Sequence, residues 1–152
     1  MTEFAIYGAA AVLAVVFSYL LKLNEACLVV GKSISEVKTG TGFQDAITPP
    51  LSVNLRIAIF IGIPLLLGYA AYGFGWGTAG IAFGVFMLVL ILVGAVLLPG
   101  SDSRHFVRLI YGSMVRRYAD FEKDGDRLRS AAMKDMIGRV ESQYADKLVG
   151  QT

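Results

Sequence analysis

The chain has 152 residues, 55% of them apolar and 17% charged, with 14 Lys and Arg, 12 Asp and Glu, one histidine and one cysteine. A mean hydropathy of +0.61 excludes an ordinary soluble domain, and the lone Cys27 excludes an internal disulfide framework. The net charge of +2 is small, so the informative quantity is where the charges fall.

The first apolar run, residues 4–21 (FAIYGAAAVLAVVFSYLL), holds 18 residues. As a helix it is about 27 Å long, enough to cross a bilayer. It lacks the basic start of a signal peptide and leads into Lys22, Leu23, Asn24 and Glu25 instead of a small-residue cleavage site. It is therefore expected to be retained as a first transmembrane helix.

A connector, residues 22–55, follows. Leu23, Ala26, Cys27 and Val30 recur at helical spacing and predict an amphipathic continuation of the first helix to Gly31. Ser33 and Glu36 have capping-box spacing and predict a further helical start. The segment 38–42 (KTGTG) reads as a flexible loop, because a phosphate-binding loop places its lysine after the second glycine. Thr48 as N-cap and proline in the first turn predict a second helix from about Pro50.

From Ile57 to Ser101, 45 residues pass without Asp, Glu, Lys, Arg or His. The break 72–78 (YGFGWGT) divides this stretch into spans over residues 57–72 and 79–98, a membrane hairpin. Pro64 predicts a bend in the second span. Gly62, Gly68, Gly80, Gly84 and Gly94 are candidate helix-packing positions, since a missing side chain lets backbones approach and van der Waals fit drives association in lipid. Gly80 and Gly84 are expected to face the second span, with the other glycines in excess of what three helices use.

No carboxylate, histidine or basic side chain falls within the three spans, which disfavours an ion, proton or polar-solute path through one chain. Ser18 is expected to satisfy itself on its own helix. Tyr7, Tyr69, Tyr72 and Trp76 are placed where interfacial aromatic anchors belong.

Residues 101–152 form a charged tail. Phe106, Leu109, Ile110, Met114 and Tyr118 make an apolar face, and Arg104, Arg108, Arg116 and Arg117 surround it. A basic amphipathic helix beside a membrane is expected to lie on anionic headgroups of the inner leaflet or to pack on a partner. After Asp124, Gly125 and Asp126, a second helix carries a four-residue stripe (Leu128, Ala132, Met136, Val140, Tyr144, Leu148). Leu128, Met136, Val140, Tyr144 and Leu148 are the candidate partner-docking residues, because one helix cannot bury such a stripe alone and needs a partner or an intrachain fold-back. The tail has ten basic and eight acidic residues, too even a balance for nucleic-acid binding. His105 and Asp102 lack the further ligands of a metal site, and no nucleophile, base and orienting carboxylate stand in a catalytic pattern. Neither a cofactor nor an enzymatic activity is expected.

All fourteen basic residues lie in the connector with its flanks or in the tail. By the positive-inside rule both are cytoplasmic, giving an N-out, C-in orientation. The fold expected is an all-α integral membrane protein: a transmembrane region over residues 1–100 and a cytoplasmic helical tail over 101–152. The leading functional expectation is a non-catalytic subunit of a multi-protein bacterial inner-membrane complex, of secretion, conjugation or energy-coupling type, contacting other subunits or further copies of itself. A self-assembling, holin-like membrane-lesion protein is the alternative on layout. A membrane-interface enzyme built around His105 ranks last.

Overall fold

A computed structural model describes residues 2–34 and 50–149, and every regular element among them is helical. Three elements are long and apolar enough to cross a membrane: Glu3–Lys32, Asn54–Phe74 and Trp76–Leu97. In chain order the helices are α1 (Glu3–Ile34), α2 (Pro50–Phe74), α3 (Trp76–Leu92), α4 (Arg104–Lys123), α5 (Arg127–Gln143) and a short α6 (Ala145–Leu148). A π-helical turn, Val93–Leu97, closes α3, with the Leu98 N–H reaching the Val93 carbonyl at 3.0 Å.

The chain divides into two compact units, Met1–Lys22 with Pro50–Leu98 and Leu23–Pro49 with Pro99–Thr152. The division falls within α1, after Lys22, so part of the connector groups with the tail instead of with the membrane region. α1 itself runs to Ile34, past the expected stop at Gly31, and Ser33 sits in its last turn instead of opening a new helix. The expectations for residues 35–49, namely Glu36, the 38–42 loop and the Thr48 cap, lie outside the described residues. α2 begins at Pro50, as the proline predicts, and continues through Pro64 without interruption.

In the first unit the expected seven-residue break contracts to one residue. α2 ends at Phe74 and α3 starts at Trp76, because Gly75 adopts φ 94° and ψ 166°. That conformation is essentially confined to glycine and turns the chain within a single residue. The buried cluster consists of Ile6, Ala10, Ala14, Ala70, Ala79, Ala82 and Phe86. Alanines dominate it, so the helices meet through small side chains that let apolar surfaces approach without glycine.

The second unit is a helical hairpin, α4 against α5, with α6 folded back on it. Phe106, Val107, Ile110 and Met114 from α4 are buried, as are Met133, Met136, Val140 and Tyr144 from α5 and its end. Leu23, Ala26, Cys27 and Val30, at spacing i, i+3, i+4 and i+7, are the buried face of the α1 segment in this unit. Gly125, at φ 73°, makes the hairpin turn. The Asp126 N–H bonds the Phe121 carbonyl at 3.0 Å and the Gly125 N–H bonds the Glu122 carbonyl at 3.2 Å, a Schellman-type ending. Asp126 then caps α5 by accepting from the Arg129 N–H at 3.1 Å.

The expected 22-residue tail helix stops short. Tyr144 leaves the helical region (φ −118°, ψ 28°), and α6 continues in a new direction. Arg104 and Arg108 supply the reason, for they bond carbonyls beyond this break, as detailed below.

Candidate functional site

Within the first unit, Ser18 is buried and its hydroxyl donates to the Leu90 carbonyl at 3.1 Å. It bonds α3 instead of its own helix, contrary to the sequence expectation. The bond falls just before the π-helical turn, and a Cβ placed on Gly94 would lie 3.9 Å from Ser18 Oγ. Gly94 is thus the one candidate packing glycine that meets another helix of the chain. At the opposite end, the buried Thr78 hydroxyl bonds Glu3 Oε1 at 3.3 Å and the Phe74 carbonyl at 3.4 Å. These two contacts run α1 and α3 in the same direction, with the start of α1 beside the Gly75 turn.

The remaining candidate glycines have a different setting. Among the described residues, a Cβ built on Gly62, Gly68, Gly80 or Gly84 meets nothing within 4 Å. Gly80 and Gly84 are exposed on α3, flanked by exposed Ile81, Phe83, Met87 and Leu88. The expected approach of α2 at Gly80 and Gly84 is not made; Ala79 and Ala82, not the glycines, are on the buried side of α3 and enter the cluster. The signal missed in the sequence is Ala10, Ala14 and Ser18, a small-residue stripe at four-residue spacing in α1.

Near the Gly75 turn, Tyr69 is exposed, and Tyr72 and Trp76 are 93% and 85% exposed. Tyr7 stands one turn beyond Glu3 on α1, at the same end as Thr78. The four aromatic residues therefore share one end of the unit.

In the tail, the candidate residues separate. Arg104 Nη2 donates to the Asp146 carbonyl at 3.2 Å, and Arg108 Nε donates to the Lys147 carbonyl at 3.1 Å. Arg108 Nη2 also bonds the Val149 carbonyl. Lys147 Nζ reaches the Asp102 carbonyl at 2.6 Å and Asp102 Oδ2 at 3.1 Å. The two arginines stabilise carbonyls at the C-terminal end of α6, where the backbone dipole is negative. Two of the four arginines expected at headgroups are thus engaged inside the tail; Arg116 is exposed and Arg117 half-buried. The hydrogen bond and charge of Lys147 hold the Asp102 carboxyl below its ordinary range.

Of the expected docking residues, Met136, Val140 and Tyr144 are buried within the chain and Leu148 is half-buried. Leu128 is 86% exposed. Each four-residue step overshoots a helical turn by about 40°, so Leu128 falls roughly 80° from Met136 and leaves the buried side. Tyr111 on α4 donates to Glu141 Oε1 on α5 at 2.6 Å, and that bond, followed by desolvation, raises the tyrosine pKa above its usual value of 10.0.

Among the described residues, two side-chain atoms are closed off from solvent without a hydrogen-bond partner: Arg56 Nη2 in α2 and Ser103 Oγ at the start of α4. No group of three or more His, Cys, Asp or Glu able to hold a metal occurs among the described residues. Comparison with protein-family models, curated proteins and solved structures gave no match.

Proposed function

We propose that the chain is a non-catalytic structural subunit of a multi-protein complex in a bacterial inner membrane, of secretion, conjugation or energy-coupling type. The observation that carries this reading is the outward setting of Gly62, Gly68, Gly80 and Gly84, with no neighbour of the described chain within 4 Å of a Cβ at any of them. In lipid, such positions let the backbone of another helix approach closely, whereas a helix that faces only acyl chains has no such need of them. Residues 4–21, 57–72 and 79–98 hold no Asp, Glu, Lys, Arg or His, so their product is a shaped surface.

The orientation is N-out, C-in. The aromatic residues collect at the end with the Gly75 turn, and the basic connector and tail fall to the other side by the positive-inside rule. Grouping of residues 23–34, the end of α1, with the tail helices in one unit supports a common side for connector and tail. The tail's apolar stripe serves its own hairpin, so docking rests on the spans, with Leu128 and the charged outer face of α5 as secondary contacts.

The test is the mass of the full chain in mild detergent, with and without paired Gly80→Leu and Gly84→Leu substitutions. The reading expects a species larger than the 16.4 kDa chain that dissociates in the double variant while the helical signal persists. A wild-type monomer retained under the mildest extraction contradicts it.

A further inference from the structure

The break between α5 and α6 has no local cause in the sequence. Residues 141–148 (ESQYADKL) contain neither glycine nor proline, and the four-residue stripe runs on through Tyr144 to Leu148. On propensity alone the helix would continue. Tyr144 instead stands at φ −118° and ψ 28°, and α6 departs from that point.

The contacts that hold α6 off the line of α5 are polar and close to solvent. α6 has no buried residue, and Leu148 is half-buried, so it lacks the enclosed apolar contacts of the α4–α5 pair. Arg104 ties it through the Asp146 carbonyl, Arg108 through the Lys147 and Val149 carbonyls, and Asp102 through Lys147 Nζ. The Arg104 bond, the Arg108 bond to Val149 and the Lys147–Asp102 pair are all exposed. Exposed charged contacts are individually weak and are screened by salt. A segment held in this way belongs to the low-stability end of a fold. A second conformation therefore lies close in energy: α5 running straight to Leu148, where the backbone regains its helical hydrogen bonds and the cations are released.

We propose that α6 is a strap with two positions. Closed, it withholds Arg104 and Arg108 from any acceptor outside the chain; open, it continues α5 and frees both guanidinium groups together with Lys147. The inference concerns the tail alone and depends neither on membrane insertion nor on a partner subunit.

The experiment uses the full chain in mild detergent with Cys27→Ser as background. Spin labels are placed at Ala119→Cys on α4 and Val149→Cys beyond α6, both exposed positions, and their separation is read by pulsed electron paramagnetic resonance. The otherwise unaltered chain and the Arg104→Gln, Arg108→Gln double variant are compared at low salt and in about 1 M salt, where the screening length falls to about 3 Å. In parallel, phenylglyoxal modification of Arg108 and of the exposed Arg116 is followed by mass spectrometry. At low salt a single separation is expected, with Arg108 modified several-fold more slowly than Arg116. A second, discrete separation, on the order of 5 Å longer, is expected in the double variant and in high salt, because residues 145–149 form an arm of about 7 Å. High salt is also expected to narrow the difference in modification rate.

One unchanged separation in both proteins at both salt concentrations overturns the strap, since the bend then does not depend on the cations. A broad distribution in place of the longer separation overturns the open position, because the arm then melts instead of extending α5. Arg108 modified as fast as Arg116 at low salt overturns the withholding. If the double variant loses helicity, the salt series on the unaltered chain decides: a discrete longer separation in high salt supports the strap, and a separation indifferent to salt overturns it.

Discussion

Ser18 and Gly94 illustrate how much a single polar contact matters where water is absent. The Ser18 hydroxyl joins α1 to α3 through the Leu90 carbonyl, so Ser18→Ala is expected to cost about 0.5–1 kcal/mol. Ser18→Leu is expected to cost more, because the added volume meets the close approach at Gly94. Thermal unfolding in detergent checks both, and a Ser18→Leu variant as stable as wild type contradicts the packing. Two glycines are expected to respond in opposite ways to alanine. At Gly75 the space is open but φ is 94°, so Gly75→Ala is expected to cost about 1–3 kcal/mol in backbone strain. At Gly80 the backbone is helical and the space is open, so Gly80→Ala is expected to leave the lone chain equally or more stable. The same melting measurement separates them.

Tyr111 gives a pH signature. Its folded pKa is raised above 10.0 by the bond to Glu141, so its contribution is complete below pH 10 and is lost as pH rises through the raised value. Tyr111→Phe is therefore expected to destabilise the tail by about 0.5–1 kcal/mol at neutral pH, with solvent screening keeping the effect small. The gap between variant and wild type closes in strong alkali. Asp102 has the opposite sense: its folded pKa is lowered by Lys147, so its contribution is present above the ordinary 3.8 and fades as pH falls through the lowered value. A gap for Tyr111→Phe that widens with alkali excludes the Glu141 bond as its source.

At the scale of elements, the α4–α5 hairpin has a core of large apolar residues, with Phe106, Ile110, Met114 and Val140 wholly enclosed. Met114→Ala is expected to cost about 2–5 kcal/mol by removing buried volume, and chymotrypsin should then cut the tail of the full chain sooner. Wild-type protease resistance in Met114→Ala contradicts the burial. The existence of these elements was legible because their signals are local: uncharged runs for the spans, Pro50 at a helix start, and Asp124, Gly125 and Asp126 for the break between the two tail helices. Their contacts were less legible because they depend on rotation about each axis. The glycines of α3 point away from the buried cluster while Ala79 and Ala82 enter it, a distinction that residue size does not reveal. The four-residue stripe of α5 likewise overstates its buried side, since Leu128 rotates out of it. That α4 packs on α5, and that Arg104 and Arg108 fold α6 back, required pairings between segments about 30 and about 40 residues apart in sequence, for which a single chain carries no local signal.

At the scale of the whole molecule, the proposed function makes the spans a contact surface without a conducting path. Expression of the chain alone in bacteria is therefore expected to leave the membrane potential intact, read with a potential-sensitive dye. An abrupt collapse favours the holin-like alternative, in which the same outward glycines would assemble copies around a lesion. The proposed topology underlies both readings, because three crossings would put the start of α1 and the Gly75 turn on one side and the tail on the other. The most direct measurement is labelling by a membrane-impermeant maleimide in intact and opened cells, with Cys27→Ser as background and single substitutions Thr2→Cys, Trp76→Cys and Gln143→Cys. The account predicts labelling at positions 2 and 76 in intact cells and at position 143 only after opening; labelling of all three positions from one side contradicts it.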